Sequence, residues 1–544
     1  MKKFLIVAFA ALGLVACNDN NLDDVNNGGF SGEVETSYIA INLNAADNGT
    51  RAAEDYQDGL TAERVVNAAY FFFFDNKGDA FPVTATAGNP ATKPGGDVNW
   101  ISANLTDSVK NGKPNVSDIK NAVLVLSTYQ GTYPAQIVAV INWAPEADKA
   151  YSLEDLYAAT NIQGVANGFV MSNAVYSDGT NAVVGTPLTA ADIYKSDSEA
   201  LAHPITIYVE RIAAKVTVTA DGVANNRFKV DKSVTINGNP TDVYVQVTGW
   251  ELFNDFTQST LLKDIDPTWK DMDLGFTWND SPYHRCYWAN SLGFGQIGSN
   301  DFPTEFPFGL GVAGDVDGGT YANNTYRYVG ENTLNASNCT KVIIKAKLQK
   351  KVSEGNYENL PLARWYTTYY VGHEALLTAV AETYKYQYYW YDGTAYNYIT
   401  PADLTVAKVD NWVKFVLSAD GEDKNWYVSN GSGYVSKTIG EINASLAKIE
   451  KALYYEGGET LYYVDIAHLG YVNPGVHVGD YGVVRNHIYN VVLRSFGGFG
   501  SPVYVPGSEG FEYPEDPTDT GEYVSAEVRV LSWRMVRNEV DVQP

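Results

Sequence analysis

VSAEVRVLSWRMVRNEVDV, residues 524–542, is the stretch on which the reading of the chain turns. Val524, Ala526, Val528 and Val530 alternate with Ser525, Glu527 and Arg529, the period of two that lines one face of a β-strand with apolar side chains. Near Leu531–Met535 the phase slips: Leu531, Trp533 and Met535 become the apolar set, and Val536, Val540 and Val542 restore the first phase, so a bulge or bend is expected there. Residues 502–523 ahead of it carry Pro506, Pro514 and Pro517, Gly507, Gly510 and Gly521 and several acidic side chains, the composition of a linker. Extended chain covers about 3.3 Å per residue, so a strand on this linker can reach several tens of ångströms. It can leave its own domain. The plainer alternative is that it pairs in its own sheet.

The opposite end is equally informative. Lys2 and Lys3 precede an apolar run, Phe4–Leu14, and Leu14-Val15-Ala16-Cys17 completes a lipoprotein signal peptide over residues 1–17, with Cys17 as the lipid attachment site. As a helix the run rises only about 16 Å, against roughly 30 Å of bilayer core, so it targets the chain and does not span. Membrane contact is then expected only through the precursor's lipid. Residues 18–36, rich in Asn, Asp and Gly, read as a tether. Next, Ile39, Ile41 and Leu43 alternate within a first strand, 37–44, followed by turn formers at Asp47, Asn48 and Gly49. Arg51 and Ala52 lie among small residues that a protease can hold extended, and a cut after Arg51 would release that strand. An ordinary solvated arginine is the bland alternative.

Between these ends the residue types favour strands, with 39 Tyr, 11 Trp and many Val and Thr interrupted by Gly and Asn. The expected fold is mostly β, with strands at Val65–Phe74, Ala122–Ser127, Gln136–Asn142, Ile205–Thr219, Val243–Phe253, Thr340–Leu348, Glu459–Ala467, His487–Ser495 and Val524–Val542. Two short helices are expected as decoration, over Ser152–Thr160 and over Ile439–Leu453, where Ile442, Leu446, Ile449 and Leu453 fall at helical spacing. A chain of 544 residues, 45% hydrophobic, needs more than one core. A boundary is expected near Asn225, giving an N-terminal β-sandwich domain at 37–225, a C-terminal one at 226–501, the linker at 502–523 and the last strand at 524–544. With 38 basic against 64 acidic residues the net charge is −26, which repels phosphate backbones and argues against nucleic acid as a partner. Cys286 and Cys339 are either a disulfide or two buried thiols.

A removable first strand and a detachable last strand are complementary. Excising the first leaves unpaired backbone groups and open apolar pockets, and the last strand of another copy can fill them. Five or six apolar side chains at about 1.5–3 kcal/mol each amount to roughly 10 kcal/mol, ladder hydrogen bonds add a comparable amount, and association costs roughly 4–15 kcal/mol. A durable non-covalent fibre is the expectation, with Val528, Val530, Leu531, Trp533, Val536, Val540 and Val542 as the donor side chains.

At these ends the chain resembles the fimbrilin family of lipoprotein-derived, type V pili, and in particular their minor-fimbrium type of shaft subunit. The likeness rests on the lipobox at Leu14–Cys17, the Thr50-Arg51-Ala52 context, YVERIAAKVTV at Tyr208–Val218, GVVRNHIYNVVLRS at Gly482–Ser495 and AEVRVLSWRMVRNEVDV at Ala526–Val542. The resemblance implies transthyretin-like β-sandwiches, export to the outer membrane as a lipoprotein, cleavage after Arg51 by an arginine-specific surface protease, and donor-strand exchange among identical or related subunits into an extracellular fimbrium that supports adhesion to an unidentified receptor. Ser532, where the family often has proline before the tryptophan, departs from the pattern and bears on the bend.

No motif calls for an enzyme, a cofactor or a metal. The histidines, His203, His284, His373, His468, His477 and His487, lack metalloprotease spacing, and neither a nucleophile elbow nor a phosphate loop occurs. His468 and His477, near Asp465 and Asp480, could bind a metal, but no metal site is expected there. The rival reading is a glycan-binding surface lipoprotein, because Trp365, Tyr366, Tyr369 and Tyr370 and the run Tyr384–Tyr391 supply stacking aromatics. The same clusters would serve equally as sheet faces.

Overall fold

The computed structural model describes residues 34–46, 60–83, 98–265, 289–293, 326–468, 481–502, 524–532 and 535–536, with short breaks at 104, 108–115, 130–131, 163, 165–166, 178–181, 221–222, 237–238, 335–337 and 410–411. The chain is mostly β.

The first large sheet runs in the order Trp100–Ser102, Ala69–Phe74, Gln136–Ile141, Met171–Asn173, Ile205–Arg211, Val34–Ala46, Val116–Tyr129, Thr106–Asp107, with Thr186–Pro187 paired beside Gln136–Ile141. Phe71 to Phe74 and Ile137 to Ile141 are all buried, so these central strands are covered on both faces. Within Ala122–Leu126 of the strand Val116–Tyr129, Ala122, Leu124 and Leu126 are buried while Val123 and Val125 are only half-buried. That alternation is the mark of a strand with one face on the core. These residues, with Ile207 and Val209, form the first hydrophobic core.

The core changes hands in mid-strand. The stretch expected as one strand, Ile205–Thr219, is two: Ile205–Arg211 belongs to the first sheet and Ala213–Ala220 to the second, with Ile212 between them. Ala213 packs in the first core and Ala214 in the next, so the handover precedes the boundary read near Asn225.

The second large sheet runs Tyr326–Gly330, Ala213–Ala220, His487–Phe496, Arg227–Ile236, Asn239–Phe253, Lys341–Ser353, Glu459–Asp465, Ser501–Pro502, with Asn356–Asn359 paired to Lys341–Ser353 and Val524–Ser532 paired to His487–Phe496. Its core draws Val216 and Val218, Val243, Val245 and Val247, and Tyr489, Val491 and Leu493 from alternating positions.

Residues 362–455 depart from this sheet and form a third unit, which the single domain read over 226–501 did not separate. It has a five-stranded and a four-stranded sheet and a core of its own around Trp365, Leu376, Val380, Phe415, Trp426, Ile442 and Leu446. Its longest helix, Gly372–Tyr384, buries Leu376, Val380 and Ala381, one stripe at helical spacing. A second helix, Ile439–Leu446, is closed by a capping box: the Glu441 amide donates to Thr438 Oγ1 at 3.2 Å and the Thr438 amide donates to Glu441 Oε2 at 2.9 Å. It stops short of the expected Leu453. Leu453 lies instead in the strand Ala452–Tyr455, hydrogen-bonded to Leu362–Trp365, because pairing in the sheet overrides the helical spacing. Likewise Ser152–Thr160 contains only one 3₁₀ turn, Glu154–Tyr157, after which Ala159–Asn161 pairs with Gln258–Thr260.

Candidate functional site

The first strand, Val34–Ala46, lies inside its sheet. On one side it runs parallel to Ile205–Arg211, with Ile41 opposite Ile205, Leu43 opposite Ile207 and Ala45 opposite Val209. On the other it runs antiparallel to Val116–Tyr129, with Ser37 opposite Leu126, Ile39 opposite Leu124 and Ile41 opposite Ala122, and a bulge at Ala45–Ala46. The partners Ala122, Leu124, Leu126, Ile207 and Val209 are core residues. The alternating set Ile39, Ile41 and Leu43 is therefore in register with the core positions of both neighbours. Taking this strand out would open a slot, not trim an edge: both flanking strands would present unpaired backbone groups above an apolar floor.

The last strand, Val524–Ser532, lies antiparallel on His487–Phe496, with Val524 opposite Phe496, Ala526 opposite Leu493, Val528 opposite Val491 and Val530 opposite Tyr489, and a bulge at Leu493–Ser495. Each of those partners is in the second core. Ala213–Ala220 runs parallel to His487–Phe496, also in register along it. The slip of phase after Leu531 coincides with a reversal: Val524–Ser532 ends at Ser532, and Met535–Val536 folds back antiparallel against Val530 and Leu531. In the intact chain the last strand is thus docked at home, the alternative weighed above. Cys17, Arg51, Ala52, Trp533, Val540, Val542 and the linker after Pro502 lie outside the described residues.

What anchors His487–Phe496 is the segment Arg485-Asn486-His487. Arg485 and Glu331 are both fully buried. The Arg485 Nε and Nη2 donate to Glu331 Oε2 at 3.1 and 2.9 Å, and Nη2 also donates to Thr260 Oγ1 at 2.7 Å and to the Thr260 carbonyl at 2.9 Å. Thr260 belongs to the strand that pairs with Ala159–Asn161, and the adjoining Leu261 and Leu262 pack in the first core, so the guanidinium ties the two cores together. Asn486 adopts φ 57°, in the left-handed region that asparagine tolerates. Its amide donates to the Ala213 carbonyl at 2.6 Å, and its Oδ1 accepts from Arg211 Nη1 at 3.1 Å. His487 Nδ1 lies 2.7 Å from the Arg485 carbonyl. The Tyr489 hydroxyl accepts from the Val484 amide at 2.8 Å and meets His468 Nδ1 at 2.8 Å. Burial, helped by the Lys263 charge, pushes His468 down to about 3, which keeps the ring neutral.

A second buried cluster pins the segment that leads from residue 60 toward the first sheet. The Glu63 carboxylate accepts from Lys215 Nζ at 2.7 Å and from the Tyr328 hydroxyl at 2.5 Å, while Arg211 Nε donates to the Glu63 carbonyl at 2.8 Å. Burial raises the Glu63 carboxyl, but these donors outweigh it and hold it below its ordinary range. Lys263 and Glu210 form a further pair at 2.7 Å, both fully buried. Sequence reasoning missed Glu63, Lys215, Glu210 and Glu331. The available signal was a charge inside an apolar strand pattern, Lys215 between Ala214 and Val216, Glu210 after Val209.

Among the described residues no group of three or more His, Cys, Asp or Glu side chains is placed to hold a metal ion. His468 is taken up by Tyr489, and His477 and Asp480 lie outside the described residues. Cys339 is buried, and burial pushes its thiol up to about 11. Its expected partner, Cys286, lies outside the described residues. Among the described residues no helix is long and apolar enough to cross a membrane.

Residues 453–539, which take in both the Arg485-Asn486-His487 anchor and the last strand, match a family model described as major fimbrial subunit protein type IV, fimbrillin, C-terminal. Among solved structures, a fimbrilin from Porphyromonas gingivalis aligns over 92% of this chain and 98% of its own at 13% identity, with a TM-score of 0.37. The tip fimbrial protein Mfa3 from Porphyromonas gingivalis aligns over 92% and 100% at 12% identity, TM-score 0.29. A fimbrial assembly protein from Parabacteroides distasonis aligns over 73% and 100% at 11% identity, TM-score 0.24. No curated protein matches the sequence.

Proposed function

We propose that this chain, which carries a fimbrillin C-terminal segment, is a structural subunit of a surface fimbrium rather than an enzyme, built into the shaft by exchange of strands between copies. The observation that carries the reading is the interior position of Val34–Ala46, hydrogen-bonded on both sides. An edge strand could be lost with little consequence for its sheet. An interior strand, once removed, leaves a vacancy that only another strand of alternating apolar pattern can close. The last strand has that pattern, and it stands after a stretch, 503–523, of linker composition.

The route begins with export as a lipoprotein on Cys17 and attachment to the outer membrane. An arginine-specific protease then cuts between Arg51 and Ala52 and releases the first strand together with the lipid. The last strand of a neighbouring subunit enters the slot between Ile205–Arg211 and Val116–Tyr129, and repetition gives an extracellular homopolymer that supports adhesion. Having both a cleavable arginine and a detachable tail favours a shaft position over an anchor or a tip.

The test is to treat the purified chain, starting after Cys17, with an arginine-specific protease and to run the product unheated in SDS. A ladder of oligomers is expected from the wild type. Arg51→Ala and a chain ending at Glu522 should each stay monomeric, and ladders that persist in either would overturn the route.

A further inference from the structure

The third unit carries an exposed aromatic surface outside both exchangeable strands of the proposed route. Its four-stranded sheet runs Tyr396–Tyr398, Tyr388–Tyr391, Asn425–Ser429, Tyr434–Lys437. Directly paired residues share a face in an antiparallel sheet. Tyr389 stands opposite Tyr398 and Tyr427, Tyr391 opposite Tyr396 and Asn425, Ser429 opposite Tyr434, and Tyr427 opposite Ser436. One face is therefore six tyrosines with Asn425, Ser429 and Ser436, and no charged residue. The other face sends Tyr388 and Trp426 into the unit's core, with Trp390 and Val428 packed against it.

The outer half of the tyrosine face looks outward, over a floor made by the buried Tyr389 and the half-buried Tyr391 and Tyr427. Tyr396, Tyr398 and Tyr434 are 40%, 48% and 44% exposed, and Tyr386, which meets the Tyr398 ring edge-to-face at 5.4 Å, is 63% exposed. The rings are held by one another: Tyr396 stacks on Tyr434 at 3.9 Å with 16° between planes, and Tyr389 meets Tyr434 at 4.8 Å and Tyr398 at 5.3 Å. Cross-strand aromatic pairing stabilises a sheet by itself, yet that purpose is met by buried rings and does not require so much aromatic surface in water. The charges around the face are already engaged. Asp392 accepts from Thr394, Ala395 and Asn397 within its own turn, Lys385 pairs with Glu382 at 2.7 Å, and Lys437, on the opposite face, pairs with Glu441 at 2.8 Å.

We propose that this face is a binding platform for a neutral glycan. Flat aromatic rings fit the C–H faces of pyranose units, and the tyrosine hydroxyls with the Asn and Ser side chains supply the hydrogen-bonding partners that sugar hydroxyls need. Charge decides between glycan classes. The nearest cation, Lys385, lies 5.3 Å over the Tyr386 ring at the margin and is already paired with Glu382, so on a chain of net charge −26 a sialic acid or sulfate finds no free counter-charge on the strands of the face, whereas an uncharged oligosaccharide needs none. Tyr, Ser and Asn are also the residues that make adaptable recognition surfaces at low entropic cost. The unit shares no strand with either large sheet, so the platform is independent of strand exchange.

The test uses the unprocessed chain starting after Cys17, so that polymerisation plays no part. Binding is measured on a panel of neutral gluco-, galacto- and manno-oligosaccharides beside sialylated and sulfated ones, and the best neutral ligand is then titrated. Tyr396→Ala and Tyr434→Ala should each weaken that ligand about tenfold, the worth of one lost aromatic contact, while Tyr396→Phe keeps most of the affinity and Tyr357→Ala, in the second large sheet, changes nothing. If removing the stacked pair unfolds the sheet, the second readout is protection of Tyr396, Tyr398 and Tyr434 from nitration by saturating ligand in the wild type. Absence of any neutral ligand, binding confined to anionic glycans, or affinity unchanged in a folded Tyr396→Ala protein would each overturn the proposal.

Discussion

Replacing Arg485 by methionine keeps an unbranched apolar stem and removes the charged guanidinium, which makes it a direct probe of the anchor under His487–Phe496. In the native chain the Glu331 carboxylate is fully buried and receives both Arg485 Nε and Nη2, besides the Arg485 amide at 3.3 Å. After the substitution the amide remains, and the Thr260 carbonyl loses its Arg485 donor. Breaking one side of a buried ion pair costs about 3–5 kcal/mol. The orphaned carbonyl overlaps with that figure more than it adds, so about 4 kcal/mol is the working value. For units of this size each kilocalorie shifts the midpoint by about 2–4 °C, which gives a fall of roughly 8–16 °C. Calorimetry is the appropriate assay, because the third unit has a separate core and should melt at its unchanged temperature. Adding Glu331→Gln to Arg485→Met removes the stranded charge and should recover a substantial part of the loss. A fall under about 2 °C, or a double variant less stable than Arg485→Met alone, would refute the view that the pair is a mutually dependent element.

Acid should loosen the same region through His468. Its neutral form is favoured in the fold, with the pKa near 3 against an ordinary 6.5, so the unfolded chain takes up the proton first and stability falls as pH drops from about 6.5 toward 3; His468→Gln should flatten denaturant midpoints across pH 5–6.5, a range above the titration of Glu63. Gly330→Ala should destabilise by roughly 2–3 kcal/mol in chemical denaturation, because the added Cβ would lie 2.1 Å from the Gln258 carbonyl oxygen and backbone must move to admit it. Asn486→Ala should lose about 1–2 kcal/mol, since alanine is strained at this φ and cannot accept from Arg211, whereas Asn486→Gly should lose less.

Much of this framework is legible from side-chain alternation. His487–Phe496 and Gln136–Ile141 fall within a residue of where the apolar pattern puts them, because strands buried on nearly every position write a short continuous apolar run into the sequence. The handover at Ile212 is not legible. Glu210, Arg211, Ile212 and Ala213 contain no turn former, and only the identity of the neighbouring strands separates one sheet from the next. The third unit was obscured for a related reason. Its strands are three to six residues long in the Tyr388–Lys437 region, too short for alternation to stand out, and the Leu376, Val380 and Ala381 stripe of Gly372–Tyr384 is bordered by tyrosines that favour strands. Within the candidate site the pattern marks the first and last strands at 37–44 and 524–542, but their positions in the sheets are tertiary facts. Nothing in Ser37–Asn44 says that it lies between two partners instead of at an edge.

That difference between the two ends bears directly on why an intact chain would stay monomeric until it is cut. Among the described residues, the last strand is paired along one side with His487–Phe496, and on its other side with Met535–Val536, beside Val530 and Leu531. A slot vacated by the first strand would offer ladders on both sides together with the apolar floor of Ala122, Leu124, Leu126 and Ile207. Moving from a one-sided to a two-sided site gains hydrogen bonds and buried area for the same strand, so exchange is favoured once the slot exists and gains nothing while the first strand fills it. Under the proposed route, proteolysis would act as the switch by creating the better site, with no change in the donor itself. A synthetic peptide of residues 524–542 added during cleavage should therefore cap the slot and suppress the ladder in a concentration-dependent way, read by gel. The same peptide added to uncut protein should leave it monomeric and bind nothing; binding to uncut protein as tight as to cut protein would defeat the argument.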